Sequence, residues 1–229
     1  MGANDNPNRP ELTTYVECIK KYSNINPKVL VEAGTKDGKD SLYLSSELGI
    51  SHSGIYLFEP NKMLYKKLED DISLKNMNKS SLALFNKTCK LKFHEALNED
   101  DGRSSILDRP EIYSKSELFK TVEIDAIRLD DFMEEKSLKT IDMFKLDVEG
   151  ATMEVLLGAG ERLKDIKSFQ IEAEYYQIWE NQTTWTDIKT FLQLHNFTHL
   201  WEIGYSKRQC DSIWIKNEYL IRNNNDQKQ

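Results

Sequence analysis

The sequence has few cysteines, and their spacing suggests neither a disulfide nor a metal site. Cys18, Cys89 and Cys210 are odd in number, lie far apart and form no CxxC pair. A disulfide framework needs an even set, and a structural zinc site needs closely spaced ligands. Both are therefore excluded, and we expect free thiols in a reducing compartment.

Long apolar runs and an excess of basic residues are also missing. No stretch approaches the ~20 apolar residues of a membrane-spanning helix, and the N-terminal residues lack the apolar core of a secretory signal. Lys and Arg number 31 against 38 Asp and Glu, which gives a net charge of −7. We therefore expect a cytoplasmic protein that binds neither nucleic acid nor an anionic membrane surface.

The length of 229 residues suits one domain with a sizeable core. Polar composition predicts a disordered N-terminus over residues 1–10 and a loose C-terminal tail over residues 223–229. The domain is expected to span residues 11–222. Near its start, apolar residues between Glu11 and Tyr22 recur three and four apart, which predicts an amphipathic helix that covers one edge of a sheet.

The stretch from Val29 to Leu48 predicts a strand, a tight turn and a helix. Its apolar run ends at Glu32, and two glycines, Gly34 and Gly38, follow. Glycine can leave the strand in a conformation that side chains forbid, or bring the backbone close to a bound molecule. The next helix directs its free N–H groups at the same crevice. We interpret this stretch as a ligand-binding turn, with an ordinary turn as the alternative.

Strands and helices continue to alternate along the chain. The order βαβα predicts parallel strands joined by right-handed crossovers, hence a doubly wound α/β sheet of about seven strands with helices on both faces. A closing hairpin would add an antiparallel strand, so that the sheet is mostly but not entirely parallel. An irregular loop at residues 103–120 would lie over the ligand-bearing end of the sheet. Further strands are predicted at residues 54–58, 90–97, 121–124, 140–147, 168–174, 197–203 and 211–216.

Glu59 ends the second predicted strand and is a candidate ligand for a cofactor. An acidic side chain there can accept two hydrogen bonds from a ribose diol, whereas the alternative is a surface residue that caps the next helix. A dinucleotide fold needs GxGxxG, but Gly34 and Gly38 lie four apart and follow Glu32. A carboxylate at this position repels a pyrophosphate and suits an ammonium group. These residues favour a nucleoside cofactor with an amino-acid end, S-adenosylmethionine.

Four motifs, in this order along the chain, resemble the FkbM family of class I methyltransferases. They are Val-Glu-Ala-Gly-Thr-Lys-Asp-Gly at 31–38, Leu-Phe-Glu-Pro at 57–60, Glu-Ala-Leu at 95–97 and Ile-Asp-Met-Phe-Lys-Leu-Asp-Val-Glu-Gly-Ala at 141–151. The resemblance runs from about Val29 to Glu174. Glu32, Thr35 and Lys36 stand where the family pattern has Asp, Ala and Asn. The resemblance implies a Rossmann-like fold and methyl transfer from S-adenosylmethionine.

The resemblance also implies roles for individual residues. The glycine turn and the start of its helix would hold the methionine end, the end of the third predicted strand would flank the adenine, and one aspartate would face the sulfonium and the acceptor. The implied cofactor-binding residues are Glu32, Gly34, Thr35, Gly38, Ser41, Glu59, Glu95, Ala96 and Asp147.

Carboxylates near the ends of the later strands are the candidates for catalysis. A methyl transferase aligns an acceptor oxygen and removes its proton, a role open to Asp147, Glu149 or Glu174. Glu172 and Glu174 share a face of their strand and, with Asp147, form an alternative Mg²⁺ site. The structural alternatives are that Glu149 only begins a helix and that Lys145 pairs with a carboxylate across the strand.

The expected reaction is O-methylation of a hydroxyl on a sugar, a glycan or a natural product. One alternative is a non-catalytic methyltransferase fold that binds a partner, favoured by Lys36; another is a nicotinamide-dependent oxidoreductase, which needs the missing third glycine. Tyr175, Tyr176, Trp179 and Trp185 suit stacking on a sugar, core packing or a homodimer contact. The oligomeric state and the acceptor are left open.

Overall fold

The computed structural model describes residues 9–98, 102–108, 119–204 and 207–221. None of the helices in these ranges has the length and apolar character needed to cross a membrane. The helices are α1 (Pro10–Tyr22), α2 (Lys39–Leu48), α3 (Lys62–Asp70), α4 (Leu129–Glu135), α5 (Thr152–Gly158) and α6 (Trp185–Leu194). The strands are β1 (Leu30–Ala33), β2 (Ile55–Phe58), β3 (Asn78–Ser80), β4 (Ala83–Leu84), β5 (Cys89–Ala96), β6 (Phe119–Ile127), β7 (Met143–Leu146), β8 (Ser168–Glu174), β9 (Phe197–Gly204) and β10 (Gln209–Lys216).

The main sheet has seven strands in the order β3-β2-β1-β7-β8-β10-β9. Every strand in it runs parallel except β10, which is antiparallel to both of its neighbours. Chain order runs outward from β1 in both directions, except that β10 lies between β8 and β9, so the sheet is doubly wound with a closing hairpin. The predicted α/β architecture and its closing hairpin are therefore confirmed.

A second, three-stranded sheet has the order β4-β6-β5. The strand predicted at residues 90–97 belongs to this sheet and not to the main one, and the strand predicted at residues 121–124 is its central member. The main sheet instead has the unpredicted β3 at one edge, beside β2. As far as Glu95, the residues of β5 alternate between more buried and more exposed positions, as in an antiparallel pair with one solvated face, whereas β1 and β7 are buried throughout.

Helices cover the main sheet on both faces. On one face α5 and α6 pack against side chains that include Phe144, Leu146 and Phe169. On the other face α1 and α2 pack against Leu30 and Met143. Burial on both faces explains why β1 and β7 consist of continuous apolar runs interrupted only by residues that have a polar partner.

Helix α1 lies on a face of the main sheet and reaches its edge strand β9, so it covers more of the sheet than the edge predicted for it. It contacts α2 and β10, and the Tyr15 hydroxyl lies 2.8 Å from that of Ser168 in β8. The helix begins at Pro10, and the preceding Arg9 forms an ion pair with Asp40. The described structure thus begins at residue 9, while residues 1–8 and the predicted tail lie outside the described residues.

Gly34 is the point at which the turn after β1 touches β7. Its φ is +76°, and a Cβ atom built there would lie 1.7 Å from the backbone oxygen of Asp147. No side chain fits between two backbones at this distance, so the glycine is required by both conformation and space.

Replacing Gly34 with alanine should therefore destabilise the fold by more than about 3 kcal/mol, measured by urea denaturation. Gly49 is the matched control, since its φ is +66° but nothing lies within 4 Å of a built Cβ atom. The Gly49→Ala variant should lose only about 1 kcal/mol. Equal losses in the two variants would contradict the steric argument.

Candidate active site

A cleft of about 270 Å³ lies at the carboxyl ends of β1, β2, β7 and β8. This is the switch point of the main sheet, where the chain leaves β1 for β2 on one side and β7 lies on the other. Open α/β sheets bind ligands in the crevice formed there. The small sheet and the segment 102–108, part of the predicted loop, form the opposite wall.

The glycine turn lies along the floor of the cleft. The backbone N–H groups of Gly34 and Thr35 donate to the Phe58 carbonyl at 3.0 and 3.2 Å, which joins the turn to β2. Gly34 and Lys36 line the cleft. Gly38 instead packs against Leu68 and Leu74, so it shapes the turn from behind and does not border a ligand.

Glu32 lies beneath the turn and not at the cleft. Its carboxylate accepts a hydrogen bond from the Ser41 hydroxyl at 2.5 Å and lies 3.3 Å from the Lys145 ammonium. Burial raises the pKa of Glu32 to about 6, against the lowering effect of Lys145. The ammonium group expected beside Glu32 is thus supplied by the protein, and neither Glu32 nor Ser41 borders the cleft.

Lys145 is a fully buried cation surrounded by carboxylates. Its Nζ lies 3.3 Å from Glu32, 3.2 Å from Asp40 and 3.6 Å from Asp147. Burial alone would lower the pKa of this ammonium, but the three carboxylates outweigh it and raise the pKa well above its ordinary value. The alternative in which Lys145 pairs across the strand is confirmed. Among its partners Asp147 lines the cleft.

Glu59 lines the cleft and is also held by two backbone N–H groups. One carboxylate oxygen accepts from the backbone N–H of Lys36 at 2.8 Å and the other from that of Asn61 at 2.9 Å. The side chain lines the cleft but is only 5% exposed. Burial raises the pKa of Glu59 to about 7. The residue therefore joins the glycine turn to the start of α3 and also faces the ligand space.

The adenine-flanking pair expected at the end of β5 lies outside the cleft. Glu95 accepts from the backbone N–H of Lys62 at 3.0 Å and pairs with Lys120 at 2.8 Å, while the Ala96 N–H donates to the Ser104 hydroxyl. An apolar wall that was not predicted lines the cleft instead. Its members are Leu82, Leu84, Phe93 and Ile106.

Three carboxylates meet where β7 and β8 end. Asp147, Glu149 and Glu172 each place an oxygen within 4.8 Å of the others, and all three line the cleft. Burial and the nearby Asp147 raise the pKa of Glu172 well above its ordinary value. Glu174, the third member of the predicted Mg²⁺ site, is absent from this group, because its carboxylate accepts a hydrogen bond from Gln182.

The structure thus brings five predicted residues to one cleft and leaves the rest behind or beside it. Those that line it are Gly34, Glu59, Asp147, Glu149 and Glu172; those that do not are Glu32, Thr35, Gly38, Ser41, Glu95, Ala96 and Glu174. The missed members include Arg9, whose position at the start of α1 no motif indicated. Phe93 lies within the strand predicted at residues 90–97, and only the two-sheet arrangement turns it toward the cleft.

Protonation of Glu59 should stabilise the folded protein. Its pKa of about 7 lies above the ordinary carboxyl value expected for the unfolded chain. The contribution is complete below that ordinary value and is lost as the pH rises through about 7. The Glu59→Gln variant, which cannot ionise, should therefore show a smaller fall in melting temperature from about pH 5 to pH 8 than the wild type.

Glu161→Gln, at an exposed position, is the control for this measurement. It should keep the full fall of the wild type, to which Glu174 and Asp211 also contribute because burial raises the pKa of each to about 7. Identical pH profiles for Glu59→Gln and Glu161→Gln would rule out the buried, protonated state of Glu59.

Comparison with known proteins agrees with this geometry. Residues 32–205 match the family model of the methyltransferase FkbM domain. The 2-O-methyltransferase NoeI of Sinorhizobium fredii (strain NBRC 101917 / NGR234) is 23% identical over 166 residues, covering 67% of this chain and 66% of NoeI. This chain thus spans slightly less than two thirds of the length of NoeI.

Two crystal structures share the fold. Methyltransferase FkbM from Methylobacillus flagellatus KT superposes with a TM-score of 0.54 at 13% identity, covering 83% of this chain and 44% of that one. Magnesium protoporphyrin IX methyltransferase (ChlM) from Synechocystis PCC 6803, crystallised with S-adenosylmethionine, gives 0.50 at 10% identity, covering 90% and 77%.

The sheet order, the crossovers and the cleft at the switch point define a class I methyltransferase fold. The family model covers most of the chain and includes the turn after β1 and the acidic turn after β7. The chain belongs to the FkbM methyltransferase family.

Proposed function

We propose that the protein transfers a methyl group from S-adenosylmethionine to a hydroxyl group of a sugar, a glycan or a natural product. The observation that carries the proposal is the cleft itself, which is lined by an apolar wall and by three carboxylates that meet where β7 and β8 end. NoeI, a 2-O-methyltransferase, supports oxygen as the acceptor atom. Family membership argues against the nicotinamide-dependent alternative.

The residues of the cleft suit an adenosyl cofactor. Leu84, Phe93 and Ile106 offer apolar surface for a planar base. Glu59 lies at the end of β2, and each carboxylate oxygen keeps a lone pair for a ribose hydroxyl after accepting one backbone N–H. Gly34 has no side chain that would come between the turn and the cofactor. When bound, the cofactor supplies an electrophilic methyl group.

The acidic end of the cleft suits a cation and a hydroxyl group. Asp147 and Glu149 lie together there with Glu172, so the site attracts positive charge and accepts hydrogen bonds from an acceptor hydroxyl. Either side chain can take the proton that the acceptor oxygen loses. We assign proton removal to Asp147 or Glu149. Glu174, which accepts a hydrogen bond from Gln182, has a supporting role.

The proposal does not require a divalent cation. The buried Lys145 ammonium lies 3.6 Å from Asp147 and already supplies positive charge beside this one of the predicted Mg²⁺ ligands. If a metal takes part, its ligands are Asp147, Glu149 and Glu172. In that case dialysis against EDTA lowers the methyltransferase activity, and addition of Mg²⁺ restores it.

A second candidate function is a binding module that retains the fold without catalysis. Lys36 favours this second function, because it adds a cation to a cleft that Glu59 also lines. The two functions differ in one measurement: a module binds the cofactor or a partner but transfers no labelled methyl group to any hydroxyl compound in a broad panel.

Loss of the Glu59 carboxylate should weaken cofactor binding. We expect Glu59→Ala to raise the dissociation constant for S-adenosylhomocysteine more than about tenfold, because two ribose hydroxyls lose their acceptor. Calorimetric titration measures this value, with the exposed Glu161→Ala variant as the control. Unchanged affinity in Glu59→Ala would remove the ribose role.

Neutralising Asp147 should affect turnover more than binding. We expect Asp147→Asn to lower kcat about a hundredfold while the affinity for S-adenosylhomocysteine changes less than about threefold. The amide keeps the size of the side chain but can neither accept a proton nor keep the ion pair with Lys145. Wild-type kcat in this variant would assign proton removal to another group.

A further inference from the structure

The turn after β7 holds a non-glycine residue in a left-handed conformation. Glu149 and Gly150 have φ values of +48° and +90°. A residue with a Cβ atom adopts such a φ only where its surroundings hold it there. Because Glu149 lines the cleft, the contacts that hold this turn also decide where its carboxylate points.

One side of the turn is held by the loop after β8. A Cβ atom built on Gly150 would lie 2.4 Å from Trp179 Cδ1 and 3.1 Å from Gln182 Nε2. Gln182 accepts from the backbone N–H groups of Ile178 and Trp179 at 2.8 and 3.1 Å and donates to Glu174. Trp179 and Gln182, which are buried, therefore pack against the turn and support it.

The other side of the turn is held by Ser105. Its hydroxyl donates to the Glu149 carbonyl at 2.7 Å and accepts from the Leu107 N–H at 3.0 Å. The Ser105 backbone pairs in both directions with that of His94 in β5, at 2.8 and 3.2 Å. Ser105 is 1% exposed. One hydroxyl thus joins the small sheet to the turn that carries Glu149.

We infer that Ser105 is a positioning residue for Glu149. Its hydroxyl holds the left-handed turn from above while Trp179 and Gln182 support it from below, so that the Glu149 carboxylate stays beside Asp147 and Glu172 in the cleft. Without the hydroxyl the Glu149 carbonyl loses the hydrogen bond from Ser105, and the strained turn relaxes toward conformations in which the carboxylate leaves this position. The expected effect on kcat rests on the proposed methyl transfer, whereas the expected effect on the turn itself does not.

The kinetic test compares Ser105→Ala with Ser23→Ala. Ser23 makes the same pair of bonds, donating to the Ile19 carbonyl at 2.8 Å and accepting from the Ile25 N–H at 3.2 Å, but it lies at the C-terminal end of α1. Ser105→Ala should lower kcat about five- to tenfold with the KM for S-adenosylmethionine changed less than about twofold. Ser23→Ala should lower the melting temperature about as much as Ser105→Ala does, but it should keep wild-type kcat.

The structural test needs no acceptor. In the free protein, amide hydrogen exchange over residues 148–156 should be faster in Ser105→Ala than in the wild type and unchanged in Ser23→Ala. Equal exchange in all three proteins, or equal loss of kcat in the two variants, would overturn the inference. If the wild type methylates no compound, the proposed function fails, and the exchange measurement alone decides the role of Ser105.

Discussion

The buried ammonium of Lys145 is the constraint on which the rest of the site depends. A buried charge is tolerated only when it is paired, and removing one partner leaves the other uncompensated. Three carboxylates surround this ammonium, one each from β1, α2 and the turn after β7. The same group therefore joins two neighbouring strands to a helix and holds Asp147, the partner that faces the ligand space. Arg9, paired with Asp40, extends this network to the start of α1.

The cleft is made by two sheets that contribute different chemistry. The main sheet brings carboxylates to the carboxyl ends of its strands, because acidic residues follow β2 and β7 and end β8. The small sheet brings apolar side chains such as Phe93, and the segment that follows β5 closes the wall. A ligand with a flat apolar part and a cationic or hydroxylated part fits such a division, since each part meets its own kind of surface.

Much of the main sheet was predictable, because strands buried on both faces are continuous apolar runs between turn residues, as in β1, β2 and β7. The small sheet was not, since an alternating strand such as β5 looks the same in either sheet, and only tertiary contacts decide between them. The same uncertainty affected the site. Motifs identified Glu59 and Asp147 correctly as cleft residues, but whether Glu32 faces a ligand or Lys145 depends on pairing across strands, which local sequence does not show.

Register and charge are coupled in the main sheet. Glu32 of β1 lies opposite Lys145 of β7, which lies opposite Gln170 of β8. Side chains alternate between faces along a strand, so a shift of β7 by one residue would move Lys145 to the face that holds the apolar side chains of Phe144 and Leu146, away from its carboxylate partners. The ammonium that supports the site thus also favours the strand alignment in which that site exists.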